Sequence, residues 1–330
     1  MSVILIPVAI IGGMGLIFGL VLAFASRVFK VEVNPKIEEI AAILPNANCG
    51  ACGRPGCSGY AEAIVMEGDD INKCAPGGAD VANKIAAIMG LTAETKERRV
   101  AVIHCQSGGS ANTLLRYEYQ GIATCKAAVQ VSGGPNMCNY GCVFQNDCVA
   151  ACMFGAIRVN EQGMREIDEE KCTACGACVR ACPRGLIELV PVSRKVHVLC
   201  ASHDKGKEAK VRCGNNTACI GCGMCVKKCP VGAITLQGDL AVIDYEKCIS
   251  CGLCANVCPT KAIVDPLAGT RGKAVIRPAD CIGCTICAKK CPVGAITGEL
   301  KKPHTVDPEK CIGCEICVSK CPKKAIDIQR

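Results

Sequence analysis

The chain has 330 residues, 32 of them cysteine, with no tryptophan, 3% aromatic residues and a formal net charge of +8. So many thiols and so few aromatic rings exclude an ordinary aromatic-rich core, so disulfides or metal centres must hold many short segments together, and the redox compartment decides which. The positive charge does not indicate nucleic acid: it counts each cysteine as a neutral thiol and reverses once the thiolates carry metal, whereas nucleic-acid readers keep a basic patch.

Residues 3–25 (VILIPVAIIGGMGLIFGLVLAFA) carry no charge. At about 1.5 Å per residue such a helix is about 35 Å long, enough for a bilayer core of about 30 Å. Arg27 and Lys30 follow, and no basic side chain precedes the run. The positive-inside rule then predicts a single-pass anchor over residues 1–30 in the cell membrane, N-terminus outside and everything beyond it cytoplasmic. Ala23-Phe24-Ala25 offers a signal-peptidase site, but the basic n-region is missing and the run is too long for an h-region. A reducing cytoplasm disfavours disulfides, so the cysteines read as metal ligands.

Next comes NCGACGRPGC, residues 48–57, with Cys74 downstream. Cys49, Cys52, Cys57 and Cys74 form one tetrad in a small domain expected over residues 31–85. The stretch between them, GYAEAIVMEG, has a helical apolar rhythm. A [4Fe–4S] cluster is expected here, with a four-thiolate zinc ion as the alternative. Cys105, Cys125, Cys200 and Cys213 fall outside every repeated motif. Cys105 and Cys200 each end an apolar strand (RRVAVIHC and SRKVHVLC), and Cys125 and Cys213 follow them. Paired strands are expected to bring these four together as an eighth cluster, since 32 cysteines then divide into eight tetrads; buried free thiols are the alternative. The β-branched runs at 100–134 and 186–211 predict a small sheet within a strand-rich segment, 86–216, from which a module at 136–190 projects as an insertion.

A phrase then recurs: CMFGAI from Cys152, CPRGLI from Cys182, CPVGAI from Cys229, CPTKAI from Cys258, CPVGAI from Cys291 and CPKKAI from Cys321. Three cysteines in CxxCxxC spacing precede each of the last five, starting at Cys172, Cys219, Cys248, Cys281 and Cys311. The first unit is looser, with Cys138, Cys142 and Cys148 before Cys152 and Met153 in place of proline. Successive phrases lie 30, 47, 29, 33 and 30 residues apart, so six units pair into three modules, the last two over 217–265 and 272–330.

Each module resembles a bacterial two-cluster ferredoxin, in which the fourth cysteine of one motif ligates the other motif's cluster. The resemblance implies seven [4Fe–4S] clusters counting the N-terminal one, and the leftover cysteines supply the eighth. It assigns Cys138, Cys142, Cys148 and Cys182 to one cluster, and Cys172, Cys175, Cys178 and Cys152 to its neighbour. The second module would use Cys219, Cys222, Cys225 and Cys258, then Cys248, Cys251, Cys254 and Cys229. The third would use Cys281, Cys284, Cys287 and Cys321, then Cys311, Cys314, Cys317 and Cys291.

No G-x-G-x-x-G follows a predicted strand, no phosphate-binding P-loop is present, and no C-x-x-C-H haem site occurs. The chain therefore carries electrons without a visible substrate-converting or catalytic residue. Residues 272–330 hold 11 Lys/Arg against 6 Asp/Glu, which makes this end the expected docking face for an acidic electron carrier, with a solvated charged face as the alternative.

The anchor, NCGACGRPGC with its distant Cys74, the strand ending in His104-Cys105 and the tandem modules together resemble the B subunit family of the Rnf complexes, ion-translocating ferredoxin:NAD+ oxidoreductases. The expected fold is α+β: one transmembrane helix, a small Fe–S domain, then tandem two-cluster modules with a small flanking sheet. The resemblance implies electron transfer from reduced ferredoxin to membrane and peripheral partner subunits that hold flavins and further Fe–S sites. Entry is expected at the Cys281–Cys321 module and exit through the Cys49–Cys74 cluster. A membrane-tethered polyferredoxin serving a hydrogenase or another reductase, without ion pumping, is the alternative.

Overall fold

A computed structural model describes the chain except for residues 1, 29–33, 94–96, 108, 110–111 and 330, and describes the backbone alone at residues 2–10 and 28. The chain divides into two compact units, Met1–Glu94 and Thr95–Arg330.

The first unit is helical: α1 (Ser2–Val28), α2 (Pro35–Ile43), α3 (Gly56–Glu67) and α4 (Gly78–Met89). The expected membrane anchor is corrected here. Among the described residues, no helix is long and apolar enough to cross a membrane. The single-pass placement, with its outside N-terminus and cytoplasmic clusters, is withdrawn with it, and Lys30, which helped to orient it, lies outside the described residues.

The other three helices pack Ile40, Tyr60, Ile64 and Ile85, each no more than 1% exposed, into one core. Pro35 starts α2 where a missing N–H costs nothing, and Asn34 Oδ1 accepts from the Lys36 N–H. The Tyr60 hydroxyl donates to the Asp70 carbonyl at 2.7 Å and accepts the Lys73 N–H at 3.1 Å. That one side chain fixes the loop that delivers Cys74.

The second unit repeats one plan three times, an outer strand pair enclosing an inner hairpin, all antiparallel. In the first module β1 (Arg99–Ile103) pairs with β4 (Ile187–Pro191) around the hairpin β2 (Ile157–Val159) and β3 (Arg165–Ile167). In the second, β5 (His197–Val198) pairs with β8 (Ile263–Val264) around β6 (Ile234–Gln237) and β7 (Leu240–Ile243). In the third, β9 (Lys273–Ile276) pairs with β12 (Ile326–Gln329) around β10 (Ile296–Thr297) and β11 (Thr305–Val306). The repeated phrase, ending in Ala-Ile or, once, in Leu186-Ile187, supplies a strand each time, because its isoleucine is buried against the module's cysteines. The flanking sheet expected around the first module is β1 with β4; the run at 186–211 also holds β5, which belongs to the second module instead.

The residue before the third cysteine's short helix lies in the left-handed region in every CxxCxxC motif: Gly176 (φ 71°), Gly223 (69°), Gly252 (79°), Thr285 (62°) and Glu315 (60°). This reversal turns the third cysteine inward at the start of the helix, where Cys178, Cys225, Cys254, Cys287 and Cys317 are all buried. Glycine reaches that conformation freely, whereas threonine and glutamate do so at a cost.

Candidate metal centres

Among the described residues no cysteine forms a disulfide. The thiols instead gather in fours. In the first unit, the thiols that act electrostatically on Cys74 are Cys57, Cys49 and Cys52. In the first module, Cys152, Cys172, Cys175 and Cys178 line one pocket. In the second, Cys219, Cys222 and Cys258 act on Cys225, while Cys251, Cys248 and Cys229 act on Cys254. In the third, one pocket is lined by Cys281, Cys284, Cys287 and Cys321, and another by Cys291, Cys311, Cys314 and Cys317. The fourth cysteine thus reaches across each module to the other motif's thiols.

Two expected sets exchange a member. Cys125, not Cys138, lines the pocket of Cys142, Cys148 and Cys182. Asp147 accounts for this: its carboxylate accepts the N–H groups of Cys125 at 2.8 Å and Lys126 at 3.2 Å, clamping that helix start beside Cys148. Cys138 turns the other way, toward Cys105 and Cys213, and a Cβ on Gly141 would lie 3.5 Å from Cys138 Sγ and 3.7 Å from Cys105 Sγ. Cys105 also acts on Cys200. The outlying set is therefore Cys105, Cys138, Cys200 and Cys213. Sequence spacing pointed to Cys138 because it starts the first unit; the looser gaps there, four and six residues instead of three, were the available signal that the motif is not contiguous.

The surroundings suit an anionic iron–sulfur centre. Backbone N–H groups aim at the sulfurs: Ala156 to Cys152 (3.3 Å), Leu186 to Cys182 (3.4 Å), Ala233 to Cys229 (3.2 Å), Ala295 to Cys291 (3.2 Å) and Ala325 to Cys321 (3.3 Å). All five join a cysteine to the residue four further on, the alanine or leucine of the repeated phrase. Burial, followed by the negative charge of neighbouring thiols, pushes Cys178, Cys225 and Cys317 up to about 11 and Cys254 to about 12. Four such thiols resist ionising together unless a positive metal core offsets them.

The side chains that sequence reasoning missed are Arg165, Thr173 and His304. Arg165 Nε, Thr173 Oγ1 and His304 Nε2 are buried and without a hydrogen-bond partner. Each residue lines a four-cysteine pocket: Arg165 that of Cys125, Thr173 that of Cys172, His304 that of Cys281. An occupant with acceptor sulfides would satisfy them.

Comparison with known proteins agrees with this chemistry. A family described as an Fe-S cluster domain matches residues 44–76. The 4Fe-4S dicluster domain matches residues 274–328 in one form, and in another 137–186, 171–233, 218–262 and 247–295. The chain thus contains an Fe–S domain and tandem 4Fe–4S ferredoxin-like domains.

The B subunit of the Na(+)-translocating ferredoxin:NAD(+) oxidoreductase complex of Acetobacterium woodii is 46% identical over 75% of this chain and 73% of its own. The B subunit of an ion-translocating oxidoreductase complex of Methanosarcina acetivorans is 44% identical over 64% and 80%. The B subunit of the proton-translocating ferredoxin:NAD(+) oxidoreductase complex of Clostridium ljungdahlii is 41% identical over 74% and 85%. With such identity over most of both chains, this protein belongs to the B subunit family of ion-translocating, or Rnf, ferredoxin:NAD+ oxidoreductase complexes.

Proposed function

We propose that the chain is the electron-transfer subunit of such a complex, binding eight [4Fe–4S] clusters in the tetrads of cysteines described above and passing electrons between reduced ferredoxin and partner subunits. Reduction of NAD+ falls to another subunit, as does ion translocation. The relatives named for ferredoxin:NAD(+) oxidoreductase activity support this reading over a polyferredoxin serving a hydrogenase.

The observation that carries it is a series of neighbouring thiols through the second unit. Cys314 of the third module acts on Cys251 of the second. The Cys219 N–H, also in the second module, donates to Cys200 Sγ at 3.3 Å. The Cys142 N–H of the first module donates to Cys105 Sγ at 3.4 Å. The outlying set of Cys105 and Cys200 therefore bridges the first and second modules. Every four-cysteine pocket of the unit then has a neighbour, as a relay requires. Each resident cluster would supply one-electron chemistry; the chain's part is to hold the clusters in line, exclude water and aim N–H groups at their sulfurs.

Entry at the third module suits an acidic ferredoxin, because Lys289, Lys290, Lys301, Lys302, Lys310 and Lys320 are set on its surface. Exit by the Cys49–Cys74 cluster completes the proposed route. Removing residues 272–330 is expected to slow ferredoxin oxidation sharply, with the slowing lost at high salt as wild-type docking itself weakens. An unchanged rate rejects this entry point.

A further inference from the structure

The three inner hairpins share a register. Ile157 pairs with Ile167, Ile234 with Ile243 and Ile296 with Val306, and each isoleucine ends its module's first repeated phrase. Two residues before these partners stand Arg165, Ala241 and His304. The position lies beside the corresponding cysteine set in each module. Arg165 lines that of Cys125, Cys142, Cys148 and Cys182, and His304 that of Cys281, Cys284, Cys287 and Cys321. The N–H of Ala241 meets Cys219 Sγ, of the corresponding set in the second module, at 3.5 Å.

Both polar side chains are held rigidly. Arg165, 7% exposed, spends Nη2 on the Phe144 carbonyl at 2.6 Å and on Asn146 Oδ1, while its guanidinium stacks 4.8 Å over the Phe144 ring. That leaves Nε for the pocket. His304, 1% exposed, has Nδ1 3.1 Å from the Lys302 carbonyl and Nε2 buried and unpartnered toward the pocket, and Gly298 abuts its ring so closely that a Cβ there would lie 2.5 Å from Cγ.

We propose that this hairpin position sets cluster potential: Arg165 and His304 each direct an N–H at the sulfurs of the cluster in their pocket, and Ala241 leaves the middle module's counterpart without a side-chain donor. A donor stabilises the reduced, more negative cluster more than the oxidised one. The clusters beside Arg165 and His304 are thereby held at higher potential than their counterpart beside Ala241. The outer modules collect electrons, and the middle one is the step between them. The inference rests on the pockets holding clusters, which iron and sulfide analysis of the wild-type chain tests separately.

The test is an EPR-monitored redox titration of the full chain, comparing His304→Leu with His304→Gln and Arg165→Met with Arg165→Lys. The Gln and Lys variants keep an N–H of similar reach. In His304→Leu one component is expected to fall at least tenfold in its reduced-to-oxidised ratio at fixed potential, a shift of about 59 mV for a one-electron couple. His304→Gln should stay within threefold of wild type, and the Arg165 pair should repeat the pattern on a different component. Loss of one cluster's iron in the Leu or Met variant alone also supports a donor role. Unchanged potentials, equal shifts within a pair, or iron loss in both members of a pair would overturn the proposal in favour of a packing role.

Discussion

Arg271 and Asp265 form the joint between the second and third modules, and breaking their ion pair should open it. Asp265 has a side chain only 4% exposed and Arg271 one 14% exposed, with Arg271 Nη2 at 2.7 Å from Oδ1 and 2.8 Å from Oδ2. A cysteine-bearing loop from each module presses on the pair: a Cβ on Gly252 would lie 2.2 Å from Asp265 Oδ2, and one on Gly313 would lie 2.7 Å from Arg271 Cβ. Water cannot replace the guanidinium in so closed a site. Arg271→Ala therefore leaves a buried carboxylate without its counter-charge, a loss of about 3–5 kcal/mol, or roughly two to four orders of magnitude in the local opening equilibrium. Asp265 also anchors the following turn, accepting the Leu267 N–H at 3.0 Å on its side chain and the Ala268 N–H at 3.1 Å on its carbonyl. Hydrogen exchange at those two amides reads the opening directly. Both should speed up by at least a hundredfold in Arg271→Ala and recover most of the way when Asp265→Asn is added, while amides of β2 and β3 stay unchanged. An effect under tenfold, or a double variant no slower than the single, refutes the reasoning.

Three further outcomes follow from the same geometry. Cys125→Ser combined with Cys182→Ser should cost no more iron than either alone, whereas Cys125→Ser with Cys200→Ser should cost twice as much; the reverse pattern would restore the grouping that sequence spacing suggests. His197 is buried with Nδ1 3.0 Å from the Tyr245 hydroxyl, and burial first, then the charge of His104, pushes it down to about 4. A folded-state value below the ordinary 6.5 means that its contribution is intact above about pH 6.5 and is lost as pH falls toward 4, so melting curves of wild type and His197→Phe should differ in slope only in that window. Thr285→Gly and Glu315→Gly relieve left-handed conformations and should each stabilise the third module by about 1 kcal/mol, visible as slower exchange of β9 and β12 amides; faster exchange would show that the side chains matter more than the backbone.

The repeated phrase made the modules and most tetrads legible because each motif is local: six residues set a strand, a turn and a thiol. The outer strand pairs were harder to foresee, since β5 and β8 are two residues each and are joined by burial across 65 residues of chain rather than by pattern. The exchange of Cys125 and Cys138 was hidden for a related reason. It depends on Asp147 reaching back 22 residues to the Cys125 N–H, a contact with no signature in spacing. Arg165 and His304 were equally invisible, one lying within a charged-looking hairpin and the other among lysines, until strand register placed them on equivalent sites. Apolar length alone suggested the membrane span, and no helix of the described residues supports it.

The most direct test of the relay is to mix the full chain, purified without oxygen, with reduced ferredoxin and separately with NADH, following the visible iron–sulfur absorbance. Rapid bleaching by ferredoxin, with none by NADH, is the predicted result for a protein that carries electrons and leaves nucleotide chemistry to a partner. Bleaching by NADH alone would contradict the account, because it would require a nucleotide site on this chain.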